Sequence, residues 1–393
     1  MDLRPSNEPE SGLAERCGIA PPLTLLPVAL PDPPGDGAGG VCLGLPQPAG
    51  HRLELGPAVL VPGAQGLVDL EGRRLDGTCL RRGADLQRFP YPQPECVDPR
   101  ALAGAEPVTT LVFLPYVKFN HFGHFLTETA AWLGPLLDPS LDWFAAAGEE
   151  AVLMVSAQAA PALEELERLL PVAPRHWRSS LSLQAPLRAE RVLLPMPSMR
   201  LGHSIRTNHS HHLRLLLERR LGPTVQLPSP ISGAPNGSRL YLSRSRLDPS
   251  FRHLVEEERL EEELRRRGWC IAWPETQPLV EQLQQLRDAS VIAGLRSSAL
   301  HLLLYFGQAI AQRPVISLCI ASVNLNTSFR MQASVQGLRW FALGCLKADP
   351  LGGQLSKVRS KLQLVMEPAQ LADQLDRLAD ELDQPSAPPR NRW

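Results

Sequence analysis

The sequence predicts an α/β protein with two domains, each built on a mainly parallel sheet. Apolar strand patterns alternate with helical patterns over residues 107–221, and the same alternation returns over residues 239–345. Such alternation is typical of βαβ units, in which each helix connects two parallel strands. Residues 221–238, between the two runs, are rich in Pro, Gly and Ser, which is typical of a linker. A ligand is therefore expected in a cleft between two domains.

The first domain is expected at residues 51–230, after a flexible segment at residues 1–50 that is rich in Pro and Gly. Residues 52–82 alternate short apolar runs with turns and predict a small β-meander at the start of this domain. The rest alternates strands and helices. Strands are predicted at 109–117, 151–156 and 187–195, and helices at about 121–137, 161–170 and 209–221.

The second domain is expected at residues 231–350, followed by a C-terminal helix and tail at 351–393. Its strands are predicted in LYL, WCIAW and SVIAGL, and each is followed by a helical pattern. In the helix predicted at 253–267, Leu254, Leu260 and Leu264 indicate the buried face. Residues 371–382 predict a further amphipathic helix.

Composition excludes several classes of protein. The chain has 40 basic and 41 acidic residues, so no excess charge attracts nucleic acid or an anionic membrane. The seven cysteines include no CxxC pair, and Cys270 and Cys319 fall in strands expected to be buried, which favours reduced thiols. No signal-peptide pattern opens the chain, and no run approaches the roughly 20 apolar residues of a membrane span. We expect a soluble cytoplasmic protein with at most peripheral membrane contact.

Polar side chains follow the strands of the second domain, where open α/β sheets bind their ligands. Two arginine-containing turns and a serine pair at these carboxyl ends suit a phosphate-bearing ligand. The residues at these strand ends are Ser243, Arg244, Arg246, Glu275, Gly294, Arg296, Ser297 and Ser298.

The second domain contains a series of short motifs, and the first contains the segment FNHFGHFLTET. The motif positions are Ser243–Arg244, Arg252, Glu256–Glu257, Pro274–Glu275, Glu281–Gln282 and Gly294 to His301, with Asn120, His124 and Glu128 in the first domain. In residue type and order these motifs resemble those of the family-61 glycosyltransferases, and the resemblance covers residues 107–320. The chain departs from the family at Ser297, where a glycine is usual, at Leu302, where an asparagine is usual, and at Arg296, which replaces a histidine.

The resemblance implies a GT-B-like fold and transfer of a sugar from a nucleotide-sugar donor, UDP-linked by default, without a metal or cofactor. The first domain would bind the acceptor, a glycan or lipid-linked sugar of a bacterial surface polysaccharide, and transfer would be inverting. Negative charge builds on the leaving diphosphate, so cations or a helix N-terminus are needed there. The residues expected to bind the donor are Arg244, Arg246, Arg252, Glu281, Arg296, Ser297, Ser298 and His301.

Deprotonation of the acceptor hydroxyl needs a general base. His124 and Glu128 are four residues apart and share one helix face, so one can take the proton while the other orients it. The same spacing also produces ordinary helix salt bridges. The cluster Asn208 to His212 invites a metal site, but no third ligand follows at metal-site spacing, so a solvated helix start is favoured and no metal site is expected.

Two further hypotheses stay open at this point. Ser297 and Leu302 are compatible with a non-catalytic protein that binds a sugar or nucleotide on a degraded transferase scaffold. The two-domain outline is also shared by periplasmic-type solute-binding proteins, since a fold does not determine a function. The missing signal peptide argues against the second of these hypotheses.

Overall fold

A computed structural model of the 393-residue chain describes residues 13–17, 19, 23–27, 42–45, 52–64, 66–73, 75, 97–141, 143, 147–148, 150–156, 159–170, 177–200, 204–230, 237–248, 253–320, 327–348 and 361–383. Two compact units divide the chain. The N-terminal unit is Pro31–Val225, and the C-terminal unit combines Met1–Leu30 with Gln226–Trp393. The division at residues 225 and 226 falls within the linker predicted at 221–238.

The strands and helices are numbered along the chain. The strands are β1 (Thr24–Pro27), β2 (Cys42–Leu45), β3 (Arg52–Leu55), β4 (Ala58–Leu60), β5 (Glu106–Leu114), β6 (Val152–Val155), β7 (Trp177–Ser179), β8 (Leu187–Pro195), β9 (Met199–Arg200), β10 (Ser204–Arg206), β11 (Ser238–Leu242), β12 (His253–Leu254), β13 (Cys270–Ala272), β14 (Ala289–Leu295), β15 (Pro314–Ile320), β16 (Arg339–Ala348) and β17 (Lys361–Leu364). The α-helices are α1 (Leu13–Arg16), α2 (Phe122–His124), α3 (Ala130–Leu137), α4 (Leu163–Leu169), α5 (His209–Leu221), α6 (Glu257–Arg266), α7 (Leu279–Asp288), α8 (Thr327–Gln336) and α9 (Pro368–Asp383). A π-helical turn, Phe125–Thr129, joins α2 to α3, and a 3₁₀ helix spans Ser298–Ile310.

The main sheet of the N-terminal unit is parallel at its centre. Strands β7, β6, β5 and β8 lie side by side in that order, and each pair is parallel. Counted along the chain, the order is three-two-one-four, with the reversal between β5 and β8. In open α/β sheets, ligands bind at the carboxyl ends of the strands beside such a switch point. Strands β2, β10 and β9 form a separate small sheet.

The predicted β-meander at residues 52–82 is only partly observed. Strands β3 and β4 do form, but both pair antiparallel with β8, so they extend the main sheet. Strands of three or four residues bury little by themselves and gain stability from a longer buried partner. Residues 76–82 lie outside the described part of the chain.

The C-terminal unit contains a second doubly wound sheet. Strands β13, β11, β14, β15 and β16 follow one another in space, and all four neighbouring pairs are parallel. The chain order is two-one-three-four-five, so the switch point lies between β11 and β14. Strands β1 and β17 pair antiparallel with β16, and β12 pairs parallel with β17.

Helices α6 and α9 pack on this sheet with their leucines inward. Leu260 and Leu264 of α6 and Leu371 and Leu375 of α9 are fully buried in one core cluster. The helix predicted at 371–382 is thus confirmed as α9. No helix in the described residues combines the length and the apolar character needed to cross a bilayer.

Part of the segment predicted to be flexible belongs to the C-terminal unit. Leu13, Cys17 and Leu23 are buried in its core, and β1 pairs with β16 from Thr24 opposite Gly344 onward. The Pro- and Gly-rich composition of residues 1–50 concealed two short apolar stretches that find partners only in the folded sheet. Sequence reasoning missed them because their partners are remote in sequence.

The cysteine prediction is correct for Cys319 and wrong for Cys270. Cys319 is buried in β15, where burial raises the pKa of its thiol. Cys270 is exposed because it lies in β13, the edge strand of the sheet, which has a neighbouring strand on one side only. Cys17, Cys319 and Cys345 are free, buried thiols.

Candidate functional site

The switch point of the N-terminal unit is marked by a change of helix type. Strand β5 ends at Leu114, and the helical segment that follows changes from α to π geometry over Phe125–Thr129. A π turn adds a residue to one helical turn, and such turns occur frequently at functional sites. His124 precedes this turn and Glu128 lies inside it.

His124 and Glu128 form a hydrogen-bonded pair. The Nδ1 atom of His124 contacts Oε2 of Glu128, whose side chain is 1 % exposed, whereas that of His124 is 15 % exposed. An ionised carboxylate only accepts hydrogen bonds, so Nδ1 carries the proton in this pair. In the neutral ring, Nε2 then carries the lone pair and can act as a base.

The loop before this pair is held by hydrogen bonds from both sides. The hydroxyl of Thr129 accepts the Lys118 N–H at 2.8 Å and donates to the Lys118 carbonyl at 3.1 Å. The ring of His121 lies 4.3 Å from that of His124, centroid to centroid, and its Nδ1 accepts the His124 backbone N–H at 3.4 Å. The position of His124 is therefore set by the strand end as well as by its helix.

The expected solvated helix start at residues 208–212 is wrong, since His209 and His212 are both buried. The Nε2–H of His209 donates to the Leu126 carbonyl at 3.1 Å, and its Nδ1 lies 2.9 Å from the Ser198 hydroxyl. This histidine therefore bonds to the π turn and to the loop after β8. Among the described residues, no group of three His, Cys, Asp or Glu side chains could hold a metal ion.

In the C-terminal unit, the turns after β11 and β14 flank the switch point. Ser243 and Arg244 follow β11, and Arg296 and Ser297 follow β14. The two strand ends approach closely at Gly294, where an added Cβ would lie 2.8 Å from the Leu242 carbonyl oxygen. The structure thus brings the two predicted groups of donor-binding residues to one edge of the sheet.

Two buried carboxylates of α6 hold the turn after β11. Glu257 accepts the Arg244 backbone N–H at 3.1 Å and the Tyr241 hydroxyl at 3.0 Å. Glu261 accepts the Ser243 hydroxyl at 2.6 Å and the Ser245 hydroxyl at 2.5 Å. Burial raises the pKa of Glu257 to about 7, while the two hydrogen bonds and the nearby charge of Arg244 act in the opposite direction.

Arg246 is exposed and stacks on an aromatic ring. Its guanidinium carbon lies 3.8 Å from the ring centroid of Trp273, which follows β13. The Trp273 Nε1–H donates to Glu261 and to Ser245, each at 3.1 Å, and these hydrogen bonds fix the orientation of the ring. Arg252, predicted to bind the donor, lies outside the described residues.

The serine pair after β14 begins a helix, as predicted, although the helix is 3₁₀ rather than α. Ser297 is its N-cap in extended conformation, with φ of −146°, and its side chain makes no capping hydrogen bond. Ser297 therefore does not cap this helix through its side chain. Arg296 is half-buried, and its charge acts on Cys319 and lowers the pKa of that thiol against the larger effect of burial.

His301 lies in the core rather than at the edge of the sheet. Its ring stacks on Phe329 at 4.4 Å between centroids, and its Nδ1 lies 2.8 Å from Oε1 of Gln332. The structure thus places His301, which was predicted to bind the donor, in contact with α8. Leu302 is also buried, and it lines a small cleft with Leu242 and Ala272, which end β11 and β13.

Glu281 is exposed on the first turn of α7. It lines a groove of about 330 Å³ together with Ser238 and Leu240 of β11 and Cys270 of β13. Ser238 and Cys270 begin their strands, so this groove extends toward the edge opposite to the one that carries Arg244. The structure therefore does not support grouping Glu281 with the arginines.

Sequence reasoning did not identify Glu261, Tyr241 or Trp273 as parts of this edge. The i,i+4 spacing of Glu257 and Glu261 on one helix face was the available signal, but both fall in a helix rich in exposed acids. Only the structure separates these two buried carboxylates from Glu258 and Glu262, which face solvent.

A comparison with protein-family models matches residues 122–311 to the family described as Glycosyltransferase 61. The matched segment starts next to His124 and ends after the 3₁₀ helix, so it contains every site residue predicted from the sequence. No curated protein matches the chain.

Proposed function

Because residues 122–311 form a glycosyltransferase family-61 domain, we propose that this enzyme transfers a sugar from a nucleotide-sugar donor to a glycan or lipid-linked acceptor. The observation that carries the proposal is the pairing of two arginine-bearing turns, at Arg244 and Arg296, across the switch point between β11 and β14. Phosphate groups bind at such strand ends in doubly wound sheets.

The donor's diphosphate binds the turns after β11 and β14 in this proposal. Arg244 and Arg296 supply positive charge, and the backbone N–H groups after Ser297 begin a helix at the same edge. These groups stabilise the charge that develops on the leaving diphosphate, the role that a divalent cation has in other transferases. We therefore propose metal-independent transfer. A UDP-linked donor is the first one to test.

The acceptor hydroxyl is deprotonated by His124 in this proposal. Its Nε2 takes the hydroxyl proton as the oxygen bonds to C1 of the donor sugar, and the nucleoside diphosphate leaves with the electron pair of the broken C1–O bond. Glu128 holds the ring through Nδ1 and stabilises the imidazolium that forms. One such displacement inverts the configuration at C1.

The wider setting is part of the same proposal. A GT-B-like fold is supported by the presence of two doubly wound units, one with the base and one with the arginines. We place the activity in surface polysaccharide synthesis in a bacterial cytoplasm, with peripheral membrane contact where the acceptor is lipid-linked. The even balance of charge supports a neutral or lipid-borne acceptor over nucleic acid.

The first experiment measures the melting temperature with UDP, GDP, ADP, CDP and dTDP, each with and without EDTA. A nucleotide that binds only the folded chain raises it, by an amount that corresponds to about 2.7 kcal/mol at a hundredfold excess over Kd. We expect a shift with one base, unchanged by EDTA and lost in Arg244→Ala. Arg259→Ala is the matched control, because Arg259 is an exposed arginine of α6 paired with Glu256.

Each outcome has a meaning. A shift that disappears with EDTA would overturn the metal-independent mechanism, and no shift with any nucleotide would overturn the donor assignment. A shift without turnover of the corresponding nucleotide sugars would favour the non-catalytic binding role. Anomeric analysis of the product then tests inversion directly.

A further inference from the structure

The turn that carries Arg244 rests on a carboxyl group that has no direct access to solvent. Glu257 is 2 % exposed, and its Oε1 receives both of the hydrogen bonds, from Tyr241 and from the Arg244 backbone. Its Oε2 is buried and has no hydrogen-bond partner among the described residues. A buried carboxylate with one unsatisfied oxygen is costly when it is ionised.

The neighbouring Glu261 is satisfied quite differently. It receives hydrogen bonds from Ser243, Ser245 and Trp273 and an ion pair from Arg265 at 2.8 Å. Both oxygens of this carboxylate are therefore paired, Oε1 with the three hydrogen-bond donors and Oε2 with Arg265. The two acids of α6 differ in how they are satisfied, although they lie one helical turn apart.

The geometry points to Glu257 as a positioning residue that takes up a proton when a diphosphate binds at Arg244, which makes donor binding proton-linked. The inference rests on the proposed donor site. Ionised Glu257 and a bound diphosphate both attract the positive charge of Arg244. A diphosphate at the same turn raises the negative potential at Glu257 and favours its neutral form. Protonation removes the competing charge while the carbonyl oxygen still accepts the Arg244 N–H.

The groups that face Glu257 agree with this linkage. Tyr241 of β11 and Arg244 of the turn stabilise its charge, and Glu261 on its own helix opposes it. Helix α9 also packs on α6, but its Asp373 pairs with Arg267 and its Asp376 with Arg239. Since burial holds the pKa of Glu257 at about 7, the acid is about half ionised at neutral pH and can respond to a ligand.

Isothermal titration calorimetry with UDP tests the inference, in two pH 7 buffers that differ in ionisation enthalpy. The difference in heat gives the number of protons taken up, and we expect up to about half a proton per site for the wild type. Glu257→Gln keeps the carbonyl acceptor but cannot titrate, so it should take up clearly less. Above pH 7, UDP affinity of the wild type should fall by up to about tenfold per pH unit, whereas that of Glu257→Gln should stay nearly level.

The variant also controls for titration of the phosphate itself, which is common to both proteins. Equal proton uptake and equal pH profiles in wild type and Glu257→Gln would overturn the inference and leave the donor site intact. If Glu257→Gln does not fold, absence of proton uptake by the wild type still overturns it. If UDP does not bind, the nucleotide found by thermal shift replaces it. Failure of every nucleotide overturns the donor site, and this inference with it.

Discussion

The switch points of the two units lie at different positions in the strand order, but in both units a proposed site residue follows the first parallel strand. In the N-terminal unit the reversal lies between the first and fourth parallel strands, β5 and β8, and in the C-terminal unit between the first and third, β11 and β14. In each unit, the residue to which we assign a function, His124 or Arg244, follows the first parallel strand, and a buried glutamate from the next helical segment contacts it. Glu128 contacts the ring of His124, whereas Glu257 contacts the backbone of Arg244.

The difference between the two glutamates indicates a difference in task. Glu128 acts on a side chain, so it determines which ring nitrogen is protonated and therefore what His124 can do chemically. Glu257 accepts a main-chain N–H, so it determines the position of the Arg244 backbone and not the charge of the Arg244 side chain. The comparison predicts that changes in the first pair alter rate, and that changes in the second alter donor affinity and its pH dependence.

The largest expected effect is on turnover in His124→Ala. Removal of a general base lowers kcat by about 10²- to 10⁴-fold, with little change in the Kd of the donor nucleotide. Steady-state kinetics and calorimetry on the same preparation separate the two quantities. His211→Ala is the matched control, since His211 is a more exposed histidine of the same unit that pairs with Asp138.

Glu128→Gln sharpens this result. The amide can donate to Nδ1 and favour the wrong ring tautomer, so kcat should fall while the donor still binds. Full activity in both His124→Ala and Glu128→Gln would show that another residue is the base, and it would contradict the role that the comparison gives to Glu128.

The next effect is the loss of diphosphate stabilisation in Arg244→Ala. Removing one electrostatic contact to a developing charge costs about 10²- to 10³-fold in rate. Unlike the histidine variant, this one should also weaken binding of the nucleoside diphosphate, measured by calorimetry. Wild-type affinity and rate in Arg244→Ala would exclude Arg244 from the donor site.

The third prediction concerns stability and pH without any ligand. Because the pKa of Glu257 is raised to about 7 in the folded chain, the folded state binds more protons than the unfolded state between about pH 4.5 and pH 7. The contribution of Glu257 to the free energy of unfolding therefore decreases by about 3 kcal/mol as pH rises through this window. Urea titrations at several pH values should show this decrease in wild type and a smaller one in Glu257→Gln. Parallel profiles would contradict it.

The smallest effect is expected from Gly294→Ala, which tests the close approach of β11 and β14. The added methyl would lie 2.8 Å from the Leu242 carbonyl oxygen and 3.0 Å from its Cβ, so we expect a loss of about 1–3 kcal/mol in unfolding free energy. Gly56→Ala is the control, because among the described residues, apart from its two chain neighbours, no atom lies within 4 Å of its added Cβ. Equal stability of the two variants would show that the strand ends can separate freely.

Much of this fold was predictable because it depends on local patterns. The strand at 187–195 and the helix at 209–221 have the bounds that the sequence predicted, since their apolar periodicities are long and uninterrupted. The pairing of His124 with Glu128 was also accessible, as it follows from an i,i+4 spacing. The π turn that contains Glu128 was not predictable, because nothing in the local pattern distinguishes it from an α-helical turn.

The errors concern properties that depend on remote partners. His209 was expected at a solvated helix start, but the carbonyl of Leu126, 83 residues away in the sequence, accepts its Nε2–H. Glu257 resembles its exposed neighbours until α6 is placed against β11. The sequence does not show whether the fold will provide a polar residue with a hydrogen-bond partner. Such a partner is what allows a polar residue to be buried.

The antiparallel pairing of β1 with β16 affects how the chain is made. Thr24 leaves the ribosome early, but its partner Gly344 is synthesised only after the whole N-terminal unit and most of the second sheet. Because domains fold as units during synthesis, the N-terminal unit can assemble while β1 waits without its partner strand. Closing the C-terminal unit then requires joining two strands that the whole N-terminal unit separates in the sequence, and contacts of such high sequence separation are intrinsically slow to form. The assembly of the arginine-bearing sheet is therefore the late step in the biogenesis of this enzyme.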